Sequence, residues 1–190
     1  MRYYVGSVLW YRDMNILFLG HSLIEFFDWQ KRFPGHTVVN LGVAGESVEG
    51  LLFRLDGIIK AYTESELIFI MTGINNIAME DFDFFDSYRR IISKLSAAYP
   101  DAKVFIHSLL PVLVDFIDNK SILSVNEAIK ALAEEMRVDF MDLHKLFIDD
   151  QGRPIKGYLL NDGVHLSDKG YDVWSGALEE IIKGDVSSSF

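Results

Sequence analysis

Short apolar runs alternate along the chain with stretches in which apolar residues recur at helical spacing. The runs occupy residues 16–19, 38–41, 67–71, 104–106 and 138–141. They are nearly continuous rather than alternately polar, which is the pattern of strands covered on both faces. Helical spacing follows in Val48, Leu51, Leu52, Leu55, Ile58 and Ile59, and again in Phe84, Tyr88, Ile91, Ile92, Leu95 and Tyr99. A third set is Ile122, Val125, Ile129, Leu132 and Met136, and a fourth is Tyr171, Trp174, Leu178 and Ile181. Ser167 stands where it caps the first turn of the last helix, and Gly184 where it ends it. Pro34, Pro100, Pro111 and Pro154 all fall between these elements, as befits a residue that cannot continue a helix or a central strand.

Strand and helix in alternation predict a parallel sheet with helices on both sides, and the right-handed crossover rule leaves few ways to connect it. The expected architecture is α/β: a three-layer α/β/α sandwich of flavodoxin-like type with a parallel sheet of about five strands. A chain of 190 residues suits one domain. We expect an N-terminal extension over residues 1–14, a single domain over 15–184 and a C-terminal tail over 185–190 that frays. The regular pattern begins just after Met14, which is itself a candidate start.

Composition narrows the function classes. A formal charge of −10 opposes binding to nucleic acid or to an anionic lipid surface, since both reward a basic face. The absence of cysteine excludes disulfides, thiolate metal sites and a thiol nucleophile. No apolar run approaches the roughly 20 residues needed to span a bilayer, and residues 1–15 lack an export signal, so a cytoplasmic protein with no membrane insertion is expected. His36, His107 and His144 have no zinc-site spacing, and Gly42 with Gly45 supplies only a fragment of a dinucleotide loop. Neither a metal nor another cofactor is expected.

In open parallel sheets ligands bind beyond the carboxyl ends of the strands, so the residues that follow each run matter most. After the first come Gly20, His21 and Ser22, and after the second the stretch from Asn40 to Ser47. After the third come Thr72, Gly73, Ile74, Asn75 and Asn76. Asp162, Gly163, Val164 and His165 precede the last helix and can reach the same edge. Ser22, His165 and Asp162 together are the set for nucleophilic catalysis: a hydroxyl, a base to take its proton, and a carboxylate to orient the base. Taken singly, each has an ordinary role. Ser22 could cap a helix, Asp162 could close a turn, Gly45 could permit a positive φ, and Asn75 could be a turn residue. Their occurrence in order at strand ends favours chemistry.

The chain resembles the SGNH or GDSL hydrolases, a family of serine esterases, lipases and acyl hydrolases on a flavodoxin-like fold. Ser22 matches the nucleophile block, Gly45 the glycine block, Asn75 the asparagine block, and Asp162 with His165 the last block. The stretches around Gly45 and Asn75, and residues 162–171, are similar to the platelet-activating-factor acetylhydrolase branch. The resemblance implies that Ser22 attacks an ester carbonyl, that His165 relays its proton and that Asp162 holds the imidazole. The N–H groups of Ser22 and Gly45 and the Asn75 amide then receive the oxyanion. Leu23, Ile74 and Val164 flank these residues and are expected to narrow the acyl pocket, tilting the substrate towards short acyl or acetyl esters. Thioester or lysophospholipid hydrolysis by the same triad, or ligand binding without catalysis, are the alternatives. The expected partner is a small-molecule ester, and the branch likeness implies a homodimer.

The chain departs from the family at His21, where aspartate is usual, and more mildly at Glu46. A histidine there places a second imidazole beside the nucleophile, and if it took up a proton at mildly acidic pH it would repel a protonated His165; the sequence leaves its effect open. It also leaves open how the neighbouring loops are braced.

Overall fold

The computed structural model describes residues 13–187. Five strands, β1 (Asn15–Gly20), β2 (Thr37–Gly42), β3 (Leu67–Met71), β4 (Lys103–His107) and β5 (Asp139–Met141), form one sheet in the order β2-β1-β3-β4-β5. All four pairings are parallel. β1 and β3 are central and buried along almost their whole length, which accounts for their unbroken apolar sequence.

Helices α3 (Val48–Ala61), α5 (Phe85–Ala98) and α6 (Asn119–Met136) connect strands that advance in one direction across the sheet. Right-handed crossovers therefore stack them on one face. The short α2 (Trp29–Arg32) lies on the connection that runs the other way, and it shares the opposite face with α7 (Asp168–Ser187). Trp29 and Trp174 meet edge-on at 5.0 Å on that side. Beneath them Phe18, Phe69 and Phe105 stack across three strands, with centroids 5.0 and 5.3 Å apart. The Arg32 guanidinium reaches Ser175 Oγ at 2.8 Å and pairs with Glu179, clamping α2 to α7.

Two boundaries differ from the sequence expectation. The last helix runs through Gly184 to Ser187, because one glycine costs a helix only about 1 kcal/mol and is not by itself a stop. Of the expected N-terminal extension, residues 1–12 fall outside the described residues, as do 188–190 of the expected tail, whereas Met14 is buried in the core and its carbonyl accepts from Thr37 N at 2.9 Å. Among the described residues no helix is long and apolar enough to cross a membrane.

Candidate active site

The first strand ends in a close approach. A Cβ at Gly20 would lie 1.9 Å from the Met71 carbonyl oxygen, so β1 reaches its end tight against β3 only with glycine there. His21 follows as N-cap of a single turn, α1 (Ser22–Glu25), its Nδ1 accepting the Leu23 N–H at 3.4 Å. An aspartate would do the same with a carboxylate oxygen. Asn40 on β2 secures the other end of this turn: its Nδ2 faces the carbonyls of Ile24 at 2.9 Å and Phe27 at 3.0 Å, while its Oδ1 accepts from Gly42 N.

The loop after β2 is held residue by residue. Val43 N donates to Gly20 O at 2.9 Å, Ala44 N to Glu25 Oε2 at 2.6 Å, and Glu46 N to Val43 O at 3.2 Å. Gly45 lies between them at φ +75°, in the left-handed region that favours glycine. Among the described residues, no acceptor takes up the N–H of Gly45 or of Ser22. The short helix α4 (Ile74–Ala78) brings Asn75 alongside, its Nδ2 donating to Glu46 O at 2.9 Å. Its neighbour Asn76 is fully buried and structural, accepting from Val48 N and donating to Glu49 and Asp81.

The segment before α7 is a tight loop. Leu160 N donates to His165 O, and Leu113 N donates to Gly163 O, both at 2.7 Å. Asp162 Oδ1 accepts from the N–H groups of Val164 and His165, each at 2.9 Å, while Oδ2 lies 2.8 Å from His165 Nδ1. The two backbone donors, with the imidazole adding to them, hold the Asp162 carboxyl down at about 2. An ionised carboxylate at Nδ1 keeps the ring proton there and leaves Nε2 as acceptor. That Nε2 lies 3.0 Å from Ser22 Oγ. Ser22 is nearly buried, and His165 is partly exposed, with the ring centroid of Phe26 standing 5.2 Å away.

The structure thus brings Ser22, His165 and Asp162 into one hydrogen-bonded line, with Gly45 on the loop after β2 and Asn75 on α4 after β3, the strands that flank β1. Ser167 caps α7 as expected, accepting Gly170 N at 3.3 Å. Leu23 and Ile74 are buried in the hydrophobic core, and Val164 is half-buried against it. His21, whose effect the sequence left open, is buried. Burial, and then the charge of His165, push its pKa down to about 4, so it stays neutral at mildly acidic pH. Phe84 is core, whereas Phe82 stays partly exposed, beside a cavity of about 330 Å³ that Phe85, Ser121 and Ser124 also line and that none of Ser22, His165 and Asp162 lines. Phe26 had no sequence signal: an aromatic residue after a strand has no distinguishing period.

Residues 26–173 match the sequence profile of the GDSL-like lipase/acylhydrolase family, a span that includes Gly45, Asn75, Asp162 and His165 and begins just after Ser22. The platelet-activating factor acetylhydrolase IB subunit alpha1 of Rattus norvegicus is 25% identical over 178 residues, covering 90% of this chain and 76% of that protein. An N-acylneuraminate cytidylyltransferase of Escherichia coli is 29% identical over 178 residues, which amount to 89% of this chain and 40% of that protein. Among solved structures, a putative platelet activating factor from Streptococcus pneumoniae superposes with a TM-score of 0.79 at 29% identity, covering 94% of this chain and 86% of the other. The acetyl xylan esterase Axe2 of Geobacillus stearothermophilus, at 20% identity and a TM-score of 0.69, shares the fold over 89% of this chain and 94% of its own.

Proposed function

Because the chain belongs to the GDSL-like lipase/acylhydrolase family and is a hydrolase of ester bonds, we propose that Ser22 is its nucleophile, His165 its general base and Asp162 the carboxylate that orients the base. The observation that carries this reading is the 3.0 Å separation of Ser22 Oγ and His165 Nε2, with Asp162 on the opposite ring nitrogen. Ser22 Oγ attacks the ester carbonyl as its proton passes to Nε2. The imidazolium then gives that proton to the leaving alkoxide, and an acyl-enzyme remains on Ser22. Water, deprotonated by the same nitrogen, attacks the acyl carbon and releases the carboxylic acid.

Charge on the carbonyl oxygen in both tetrahedral states is met by the N–H groups of Ser22 and Gly45 and by the Asn75 amide, whose orientation the Glu46 carbonyl maintains. The unused N–H groups of Ser22 and Gly45 support this assignment. Phe26, Val43 and Leu160 are exposed apolar residues on the segments that carry the nucleophile, the oxyanion loop and the base, and exposed Leu113 lies on the loop after β4 that bonds to Gly163. They support an apolar ester as substrate, with a short acyl group seated above Leu23 and Ile74.

The test is turnover of p-nitrophenyl acetate, butyrate and octanoate by the wild type and by Ser22→Ala. Hydrolysis that depends on Ser22 and falls with chain length is expected. Equal rates in the two proteins would remove Ser22 from the reaction, and a rise towards octanoate would exclude the short-acyl preference.

A further inference from the structure

Arg54 sits on α3, yet its guanidinium turns towards the carboxyl edge of the sheet. Nε and Nη2 grip the two oxygens of Glu46 at 2.5 and 2.7 Å, and Nη2 also donates to the Leu41 carbonyl at 2.6 Å. Leu41 is at the exit of β2 and Glu46 is at the far end of the loop, so one planar group ties both ends of the segment that contains Gly45. The Glu46 side chain is only 7% exposed. The first turn of α3 is bare where that carboxylate passes: a Cβ at Gly50 would lie 2.9 Å from Glu46 Cγ. The same residue's backbone carbonyl receives the Asn75 amide at 2.9 Å. A largely desolvated ion pair contributes little net stability, whereas a bidentate Arg–carboxylate pair fixes orientation closely.

We propose that Arg54 and Glu46 are positioning residues for the oxyanion hole: they set the Gly45 loop directly and aim Asn75 through the Glu46 carbonyl. The inference rests on the assignment of Gly45 and Asn75 as oxyanion donors. Neither Arg54 nor the Glu46 carboxylate touches the substrate. Their effect falls on the donors, and those donors gain strength only as charge develops in the transition state. Loss of the pair therefore reduces kcat and leaves KM nearly unchanged. Lysine keeps the charge of Arg54 but cannot span two carboxylate oxygens and a carbonyl at once.

The experiment measures kcat and KM for p-nitrophenyl acetate in Glu46→Gln, Arg54→Met and Arg54→Lys, alone and combined with Asn75→Ala. Rates are counted per site labelled to completion by a fluorophosphonate at Ser22. Expected are losses of about 10–100-fold in kcat, smaller than removal of a donor itself, with KM within about twofold. Little rescue by lysine is expected, and so are combined effects with Asn75→Ala well short of the product of the single ones. Wild-type kcat per labelled site, full rescue by lysine, or strictly multiplicative losses would each overturn the positioning role while leaving the nucleophile in place. If the wild type fails to label at Ser22 and Ser22→Ala retains turnover, the triad itself falls and the pair has nothing to position.

Discussion

The ring of Phe26 stands 5.2 Å from the imidazole of His165, with the two planes at 43°, although more than half of the phenylalanine's surface faces solvent. An aromatic side chain left that exposed contributes little to the core, so its effect is to be sought at the imidazole it touches and in the apolar surface it offers a substrate. Phe26→Ala is expected to lower kcat/KM for apolar esters about threefold to tenfold, the equivalent of one aromatic contact, and to leave thermal stability almost unchanged. Steady-state kinetics and a melting curve on the same preparation check both halves. A large fall in melting temperature would reassign the ring to packing.

Adjacent asparagines on α4 should separate cleanly into chemistry and structure. Asn75→Ala is expected to reduce kcat about 10²–10³-fold with a modest loss of stability, the usual result of deleting one oxyanion donor. Asn76→Ala leaves the Val48 N–H and two carboxylates without their shared partner, and should cost about 2–4 kcal/mol of folding stability. Urea titration and single-turnover kinetics of the pair would show the two effects on different axes. Similar kinetic defects in both variants would contradict the division.

Two neutral imidazoles in the interior make stability depend on pH. Burial pushes His107 down to about 3, where it lies between Phe69 and Trp174 with neither ring nitrogen bonded, and burial with the His165 charge pushes His21 down to about 4. In the unfolded chain both bind a proton near pH 6.5. Between those limits the unfolded state holds more protons, so the stability these groups leave intact above about pH 6.5 is lost as pH falls through the interval. Each histidine adds a slope of up to about 1.4 kcal/mol per pH unit. His107→Leu should flatten the acid side of the stability profile and be neutral or stabilising at pH 7, since it removes two unsatisfied nitrogens. Urea midpoints at intervals from pH 7.5 to 4.5 decide it, and an unaltered slope would count against the buried neutral imidazole. Asp162 acts in a separate window: its lowered pKa stabilises the fold above about pH 4, an effect lost as pH falls towards about 2.

Neutral His21 should also be silent in the activity profile. His21→Asn retains a side-chain acceptor for the Leu23 N–H, and it is expected to leave the acid limb of kcat/KM where the wild type has it. A displaced limb would mean that the neighbouring imidazole charges within the working range after all.

Much of this architecture was legible in the residue pattern, for identifiable reasons. β1 and β3 are buried on both sides, so Ile16 to Leu19 and Leu67 to Met71 could not be interrupted by polar residues. α3 and α5 each cover the sheet with one face, and helical spacing follows from that. α1, α2 and α4 went unread because a turn or so of helix is too short to show a period. The order of Ser22, Gly45, Asn75, Asp162 and His165 nominated the components of the proposed site, but not what holds them. Arg54 reads as one more charge on a solvated helix face, and its reach back to Glu46 and Leu41 exists only once β2 and α3 have packed. The charge state of His21 was not legible because the sequence does not state how completely the side chain is enclosed.

Ser22 and His165 are 143 residues apart in sequence, and their hydrogen bond joins the first residue of α1 to the loop before α7. With Ser22 and His165 as the proposed nucleophile and base, the nucleophile emerges during synthesis long before its base, and no nascent chain that ends short of His165 is expected to turn over an ester, however much of the sheet has already formed. Recovery of activity on refolding should accordingly trail the recovery of helical and sheet signals, since it awaits the closure of the longest contact in the site. The enzyme's own turnover is in this sense a stopwatch for the final event of its assembly.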